Sequence, residues 1–428
     1  MPSALFRVAL GCVLLQLASA TLQTRDYSSP NAATMIARAL VDRGEFAAHA
    51  WPRNAKTASG GEEPLRAFHL PAEPLLLATG LRVLPPALLP YLHVPITVLF
   101  VTAVAATGFW IGGRALGLAA GAIASLDPFV IAHGAVWDDT FLAAALEWTI
   151  FAGLVGTLAA GRTELTREAS ARRAGLFALL GVLAGLAAMT RSSSQAILGV
   201  VALGLIARPV FRPLRGAGWA ILLGIAISVA AWGARNHRVL GEFHVGSSHD
   251  GITLFESNYA TARPSLLRTG VVEIYTLDEL GVHFGAVAPM REFDADRYFR
   301  RQAIAYAKDR PLDVLATAVL KLAVSLTGVH LGQPLTSLRN MIALAVNAVL
   351  ILAGAYGWRR WRSDSRERPA SQLVVFLCVV AATLTCLGLL AGPAGMRYRV
   401  DATGFLYLGA AAVFISFARP RMATHRRA

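Results

Sequence analysis

Residues 25–46 read RDYSSPNAATMIARALVDRGEF, a polar opening that runs into a helical pattern. Ser29-Pro30 is a helix start, a serine cap with proline at the first helical position, where its missing N–H costs nothing. Ala33, Ile36, Ala37, Leu40 and Val41 then recur at i, i+3, i+4, i+7 and i+8, which makes one apolar stripe along Asn31–Arg43. Gly44 stops the helix. Such a helix is expected to lie on a membrane surface or against a helix bundle, fixing the loop beside it. The stretch stands between two apolar runs and belongs to a polar segment that continues to Pro90. A chain this hydrophobic gains nothing from so long a charged loop unless the loop works at the bilayer surface.

Composition supports a bilayer setting. Of 428 residues, 55% are hydrophobic and 15% charged, against about a quarter charged in a soluble domain. Apolar runs near the roughly 20 residues needed to cross a bilayer occur at 4–22, 88–112, 115–133, 139–160, 174–190, 194–207, 217–234, 338–357, 371–392 and 400–417. The expected class is therefore an all-α polytopic membrane protein of about ten transmembrane helices, in a single domain covering 1–428. Residues 21–90 would form a first external loop and 236–337 a second external segment with interfacial helices. The run 4–22 has a second reading as a cleaved signal peptide, because Ala18-Ser19-Ala20 resembles a cleavage site; residue 21 emerges outside either way.

Orientation follows from the arginines. Arg114, then Arg162, Arg167, Arg172 and Arg173, then Arg208, Arg212 and Arg215 fill loops that alternate with loops poor in Lys and Arg, at 133–138 and 190–193. The basic loops belong inside, so Asp26 is outside and both termini are cytoplasmic, in the manner of a multi-pass inner (plasma) membrane protein. The net charge of +14 is accounted for by these loops, and no nucleic-acid partner is expected. Residues 312–330 are apolar but carry Lys321. If they spanned, the cluster Arg359, Arg360, Arg362, Arg366 and Arg368 would fall outside, so they are taken as interfacial or re-entrant, with an eleventh span as the alternative. The helical stretch Asp294–Arg310 places Tyr298, Phe299, Ala303 and Tyr306 on one face. Cys12, Cys378 and Cys386 lie inside apolar runs and are small buried hydrophobes rather than disulfides or metal ligands.

Several polar groups on the external side could carry chemistry. Asp26 is a carboxylate at the membrane surface, where partial desolvation suits a general base; a solvated loop aspartate or a capping group ahead of Pro30 is the other reading. Asp138 and Asp139 open the run near Thr140. Helix N-terminal charge explains one of them, and a sugar hydroxyl or a divalent cation could engage the pair. No His/Asp/Glu cluster has metal-ligand spacing within one element, so no metal site is assigned. Arg191, Arg235, Lys321 and the Arg397–Arg399 cluster are basic groups where the positive-inside rule disfavours them. Snorkelling explains any one; together they suit a phosphate held at the bilayer surface. His69, set among prolines, could hydrogen-bond a substrate or serve structure. There is no P-loop sequence and no Rossmann glycine fingerprint, which argues against a cytosolic nucleotide-linked substrate.

The order of these fragments resembles lipid-linked-sugar glycosyltransferases of the GT-C fold, and most closely bacterial members of the protein-mannosyltransferase and aminoarabinose-transferase superfamily. The resemblance is carried by Asp26-Tyr27, by Ala37 through Phe46, by His69-Leu70-Pro71-Ala72-Glu73-Pro74, by Trp137-Asp138-Asp139-Thr140, by Thr190-Arg191, by Arg235-Asn236-His237 through Asn258, and by Arg397-Tyr398-Arg399-Val400. It implies a polyprenyl-phosphate sugar donor and an external envelope acceptor, whether glycan, lipid or protein. It also implies a catalytic acid in the first external loop, which Asp26 matches. Tyr27, His69, Asp138, Asp139 and Asn258 would then face acceptor or sugar, and Arg191, Arg235, Asn236, Lys321, Arg397 and Arg399 the donor phosphate. The chain departs from the pattern at Tyr27, where relatives have a second acid, and at Pro71-Ala72-Glu73-Pro74, where they have an aromatic turn. No cofactor is assigned, a divalent cation being the alternative. The rival expectation is a transporter or flippase of a lipid-linked glycan, which would place broken helices and ionisable groups at mid-membrane. An inactive homologue serving as an assembly subunit is the third.

Overall fold

The computed structural model describes residues 2–22, 32–48, 64–134, 136, 139–160, 167–269, 283, 286–287, 289–364, 368–392 and 399–418. These are helical almost throughout, and a single pair of bridged residues, Ala48 and Leu65, is the one extended contact among them. Seven helical stretches are long and apolar enough to cross a membrane, and Ser192–Ala207 and Val400–Ser416 are shorter apolar helices. All ten apolar runs fall on these stretches and the short helix that continues one of them. Leu179, Val182, Leu223, Ile227, Val349 and Leu352 are each more than half exposed, a surface that water would not tolerate and lipid would. The protein is an all-α polytopic membrane protein.

The run expected at 88–112 and its successor differ in detail from the prediction. Pro85, Pro86 and Pro90 lack amide hydrogens, so the chain first makes a tight 3-10 turn over Pro86–Tyr91. The long helix Val94–Leu126 is broken at Gly113, whose φ of 77° only glycine adopts freely. Asp127 then caps a new short helix, Pro128–His133, by accepting from Phe129 N at 2.7 Å.

At the centre lie α1 (Val94–Leu126), α2 (Asp139–Ala159) and α3 (Val400–Ala418). Their aromatic side chains interlock: the Phe100 and Phe141 centroids are 5.8 Å apart and those of Trp148 and Phe405 4.6 Å apart, all four fully or almost fully buried. Tyr407 donates to Asp127 at 2.8 Å, tying α3 to the break after α1. Helix α4 (Leu338–Asp364) runs parallel to α3, and Gly354, Gly357 and Gly409 let the two backbones touch, as small residues do between membrane helices. Gly181 and Gly224 do the same for Arg167–Ala188 against Arg215–Leu240.

The helix Ala32–Arg43 forms as expected, with Ala33, Ile36 and Ala37 buried and Gly44 in the left-handed region at φ 71°. Helix α5 (Pro311–Thr327) presents Leu312, Leu315 and Val319 outward and buries Thr317, Lys321 and Ser325. Its last carbonyls meet α4 not at that helix's start but at Asn347, whose Nδ2 donates to Thr327 O at 3.0 Å. Nine residues of helix, roughly 14 Å, separate this contact from Leu338. Residues 328–337 then return to the start of α4, pinned by Asn340, which bonds His330 N, His330 O, Gln333 O and Pro334 O. α5 and residues 328–337 thus form a hairpin beside α4, at the end of the bundle where α3 begins.

Candidate active site

That end gathers the polar groups. The segment 64–71 is fixed there by backbone bonds that its sequence alone does not announce. Leu65 pairs with Ala48; Ala67 O accepts from Ser248 N at 2.8 Å; Ala72 N donates to Met189 O at 2.9 Å. Glu292, only 7% exposed, accepts from Arg66 N at 2.7 Å, from Ala67 N at 2.8 Å and from the Ser248 hydroxyl. One carboxylate thus joins the first polar loop to the second. His69 follows between buried Phe68 and Leu70.

The His249 ring packs on Phe68 with centroids 4.4 Å apart. Desolvation, helped by nearby His69, pushes His249 down from 6.5 to about 3. The sign is fixed by which state binds the proton. The unfolded chain protonates His249 near 6.5 while the folded one resists to about 3. Its contribution to stability is therefore whole above pH 6.5 and is lost as pH falls from there toward 3. We expect His249→Phe to flatten the acid side of the stability profile. Unfolding temperatures measured from pH 7 to pH 4 check this, and a slope equal to the wild type's would count against it.

Arg235 and Asn236 sit at the end of Arg215–Leu240. The Arg235 guanidinium donates to Arg66 O at 2.5 Å, to Phe46 O at 3.1 Å and to Asn236 Oδ1 at 3.0 Å, and it lies over the Phe46 and Trp232 rings. Asn236 donates to His244 O at 2.8 Å. Arg235 thus joins the end of this helix to the first polar loop, and Asn236 holds the turn that opens the second.

A second cluster combines α2, α3 and the turn before Ser192–Ala207. Arg191 Nε stands 3.8 Å from Asp139 Oδ2, both mostly buried. Two helical turns below Asp139, Glu147 is completely buried, with Asp401, Ser194 and Arg191 as its polar and charged neighbours. Trp148 Nε1 donates to Asp401 O at 3.1 Å, which fixes the start of α3 against α2. Glu147 and Asp401 are not among the site residues expected from the sequence. The signal was present, since a lone acid within an apolar run is costly and marks a constrained position.

The third group centres on Lys321. Its Nζ donates to Ser257 O, Asn258 Oδ1, Leu390 O and Gly392 O at 3.1, 3.0, 2.8 and 3.0 Å. Burial draws the ammonium down to about 8, so it remains mainly charged at neutral pH. Arg399, 4% exposed, donates to Leu326 O at 2.5 Å and to Asn347 Oδ1. Like Arg235, these two cations donate to carbonyl and amide oxygens. The remaining candidates, Asp26, Tyr27, Asp138 and Arg397, lie outside the described residues. Among the described residues no group of three or more His, Cys, Asp or Glu side chains could hold a metal ion.

No protein-family model matches this sequence, and no curated protein sequence matches it. The fold does find counterparts. The Archaeoglobus fulgidus oligosaccharyltransferase in its apo form superposes with a TM-score of 0.55, at 13% identity, over 99% of this chain and 51% of that one. The archaeal oligosaccharyltransferase AglB from Archaeoglobus fulgidus, in complex with an inhibitory peptide and a dolichol-phosphate, gives 0.54 at 13% identity over 97% and 50%. The fold is of the GT-C type. The chain spans about half the length of these neighbours. The GT-C-like architecture implied by the sequence resemblance is thus present, with oligosaccharyltransferases as its structural neighbours.

Proposed function

We propose that this GT-C chain is a glycosyltransferase that moves a sugar from a polyprenyl-phosphate-linked donor to an envelope acceptor at the external face of the inner membrane. The observation that carries the proposal is the match of nearly the whole chain to an oligosaccharyltransferase fold, one example of which was captured with dolichol-phosphate and a peptide. In this scheme Asp26 takes the proton from the acceptor hydroxyl or amine. The freed lone pair attacks the anomeric carbon, the carbon–oxygen bond to phosphate breaks, and the polyprenyl phosphate leaves with that bond's electrons. A phosphate leaving group needs little acid assistance, so positioning and charge stabilisation dominate the rate.

We assign the donor phosphate to Arg191 together with Arg397, two basic groups on the side where the positive-inside rule disfavours them. Asp139, paired with Arg191, would orient that guanidinium. Tyr27, His69 and Asp138 are assigned to sugar or acceptor hydroxyls, and Asn258 to positioning through Lys321. Membranes containing the protein, supplied with radiolabelled polyprenyl-phosphate sugars and a crude envelope acceptor pool, test the proposal. Label appearing in acceptor only when the protein is present supports it. Donor crossing the bilayer without covalent transfer would replace it with the flippase alternative.

A further inference from the structure

Lys321 is completely buried, yet the four oxygens it meets are all uncharged. Their origin explains the choice of residue. Ser257 O is a terminal backbone carbonyl of the helix Asp250–Asn258 and Asn258 adds its side-chain amide oxygen, while Leu390 O and Gly392 O are backbone carbonyls of the last turn and cap of Pro369–Ala391. The final carbonyls of a helix lack partners within it and carry the negative end of the helix dipole. Two such ends converge here on one point. An ammonium has three N–H groups, so four oxygens at 2.8–3.1 Å surround it as they would surround a small monovalent cation.

We propose that Lys321 is a positioning residue whose ammonium occupies a built-in monovalent-cation site between two helix C-termini. It locks the α5 hairpin to the second polar loop and to the end of Pro369–Ala391. Arg399 repeats the device at the hairpin's far end, where it holds Leu326 O and Asn347. Between them the two cations fix the start of α3, and with it Asp401 beside Arg191. The cation site stands on its own contacts; only its consequence for transfer rests on the function proposed above.

The test is a cation-rescue experiment on the full-length protein in detergent. Lys321→Ala empties the site while leaving its oxygens in place, and unfolding is followed by tryptophan fluorescence in ammonium, potassium or N-methyl-D-glucamine chloride at equal ionic strength. The wild type is expected to be indifferent to the salt. Lys321→Ala is expected to unfold several degrees lower, with part of the loss recovered in ammonium and potassium and none in the bulky organic cation. Lys321→Met, which keeps the volume and removes the charge, is expected to lose stability without any salt response. If Lys321→Ala does not fold, the methionine variant still decides: an unfolding temperature equal to the wild type's overturns the proposal. Equal recovery of the alanine variant by all three salts overturns it as well. The same salt series applied to sugar transfer separates the two claims, since rescue of folding in a protein with no transfer in its wild-type form would leave the cation site standing and remove the transferase function.

Discussion

Asp26→Asn is expected to reduce sugar transfer by about 10²–10⁴-fold, the usual contribution of a positioned general base, at unchanged protein abundance and unfolding temperature. Asparagine keeps the size and polarity of the side chain and removes only its ability to take a proton. The comparison therefore isolates chemistry from structure. Labelled-donor assays in membranes matched for expression give the ratio directly. If the variant transfers as well as the wild type, Asp26 is a loop or capping residue, and the base must be sought at Asp138 or Asp139. A variant that fails to accumulate would instead assign Asp26 a structural task.

The largest effect on folding is expected at Glu292. Its carboxylate accepts from two backbone amides of the first polar loop and from Ser248 of the second. Hydrogen bonds to a charged acceptor contribute about 1.5–3 kcal/mol each, and a buried donor left without an acceptor carries its own desolvation cost. Glu292→Ala removes the acceptor from all three donors at once. A net loss of about 3 kcal/mol follows after allowing for relief of the buried charge. Glu292→Gln is expected to lose less, since one oxygen remains, though its new amide would face donors. Chemical or thermal unfolding measures the loss, and limited proteolysis at residues 64–71 reports whether the damage is local. Equal unfolding of wild type and alanine variant would show that the loop is held by Arg235 and the backbone alone.

How far these features could be read beforehand depended on their range in sequence. Hydrophobic length and the placement of arginines are local, and they led to the polytopic helical class and to each apolar run. The helix Ala32–Arg43 was legible because its stripe and Gly44 lie within one short stretch. The GT-C resemblance rested on the order of short fragments and matches the observed fold. The partners of the unusual cations were not legible. Arg235 reaches back to Phe46 and Arg66, and Lys321 joins Asn258 to Gly392. A basic residue in an external position is compatible with a phosphate or with carbonyl oxygens, and only tertiary contacts separate the two. The break at Asp127-Pro128 did carry a local signal, an acidic cap followed by proline, that the apolar length of the run concealed.

The position of α3 has a consequence for how the protein is made. Phe405 packs on Trp148 and Tyr407 bonds Asp127, so the last helix described fills the middle of a bundle whose other members precede it in the chain. A membrane protein synthesised from its N-terminus must therefore hold its first helices loosely, with one carboxylate oxygen of Asp127 and the indole N–H of Trp148 lacking these α3 partners, until α3 arrives. Ribosomal delivery of α3, rather than insertion of the helices before it, is then the step at which this bundle acquires its core.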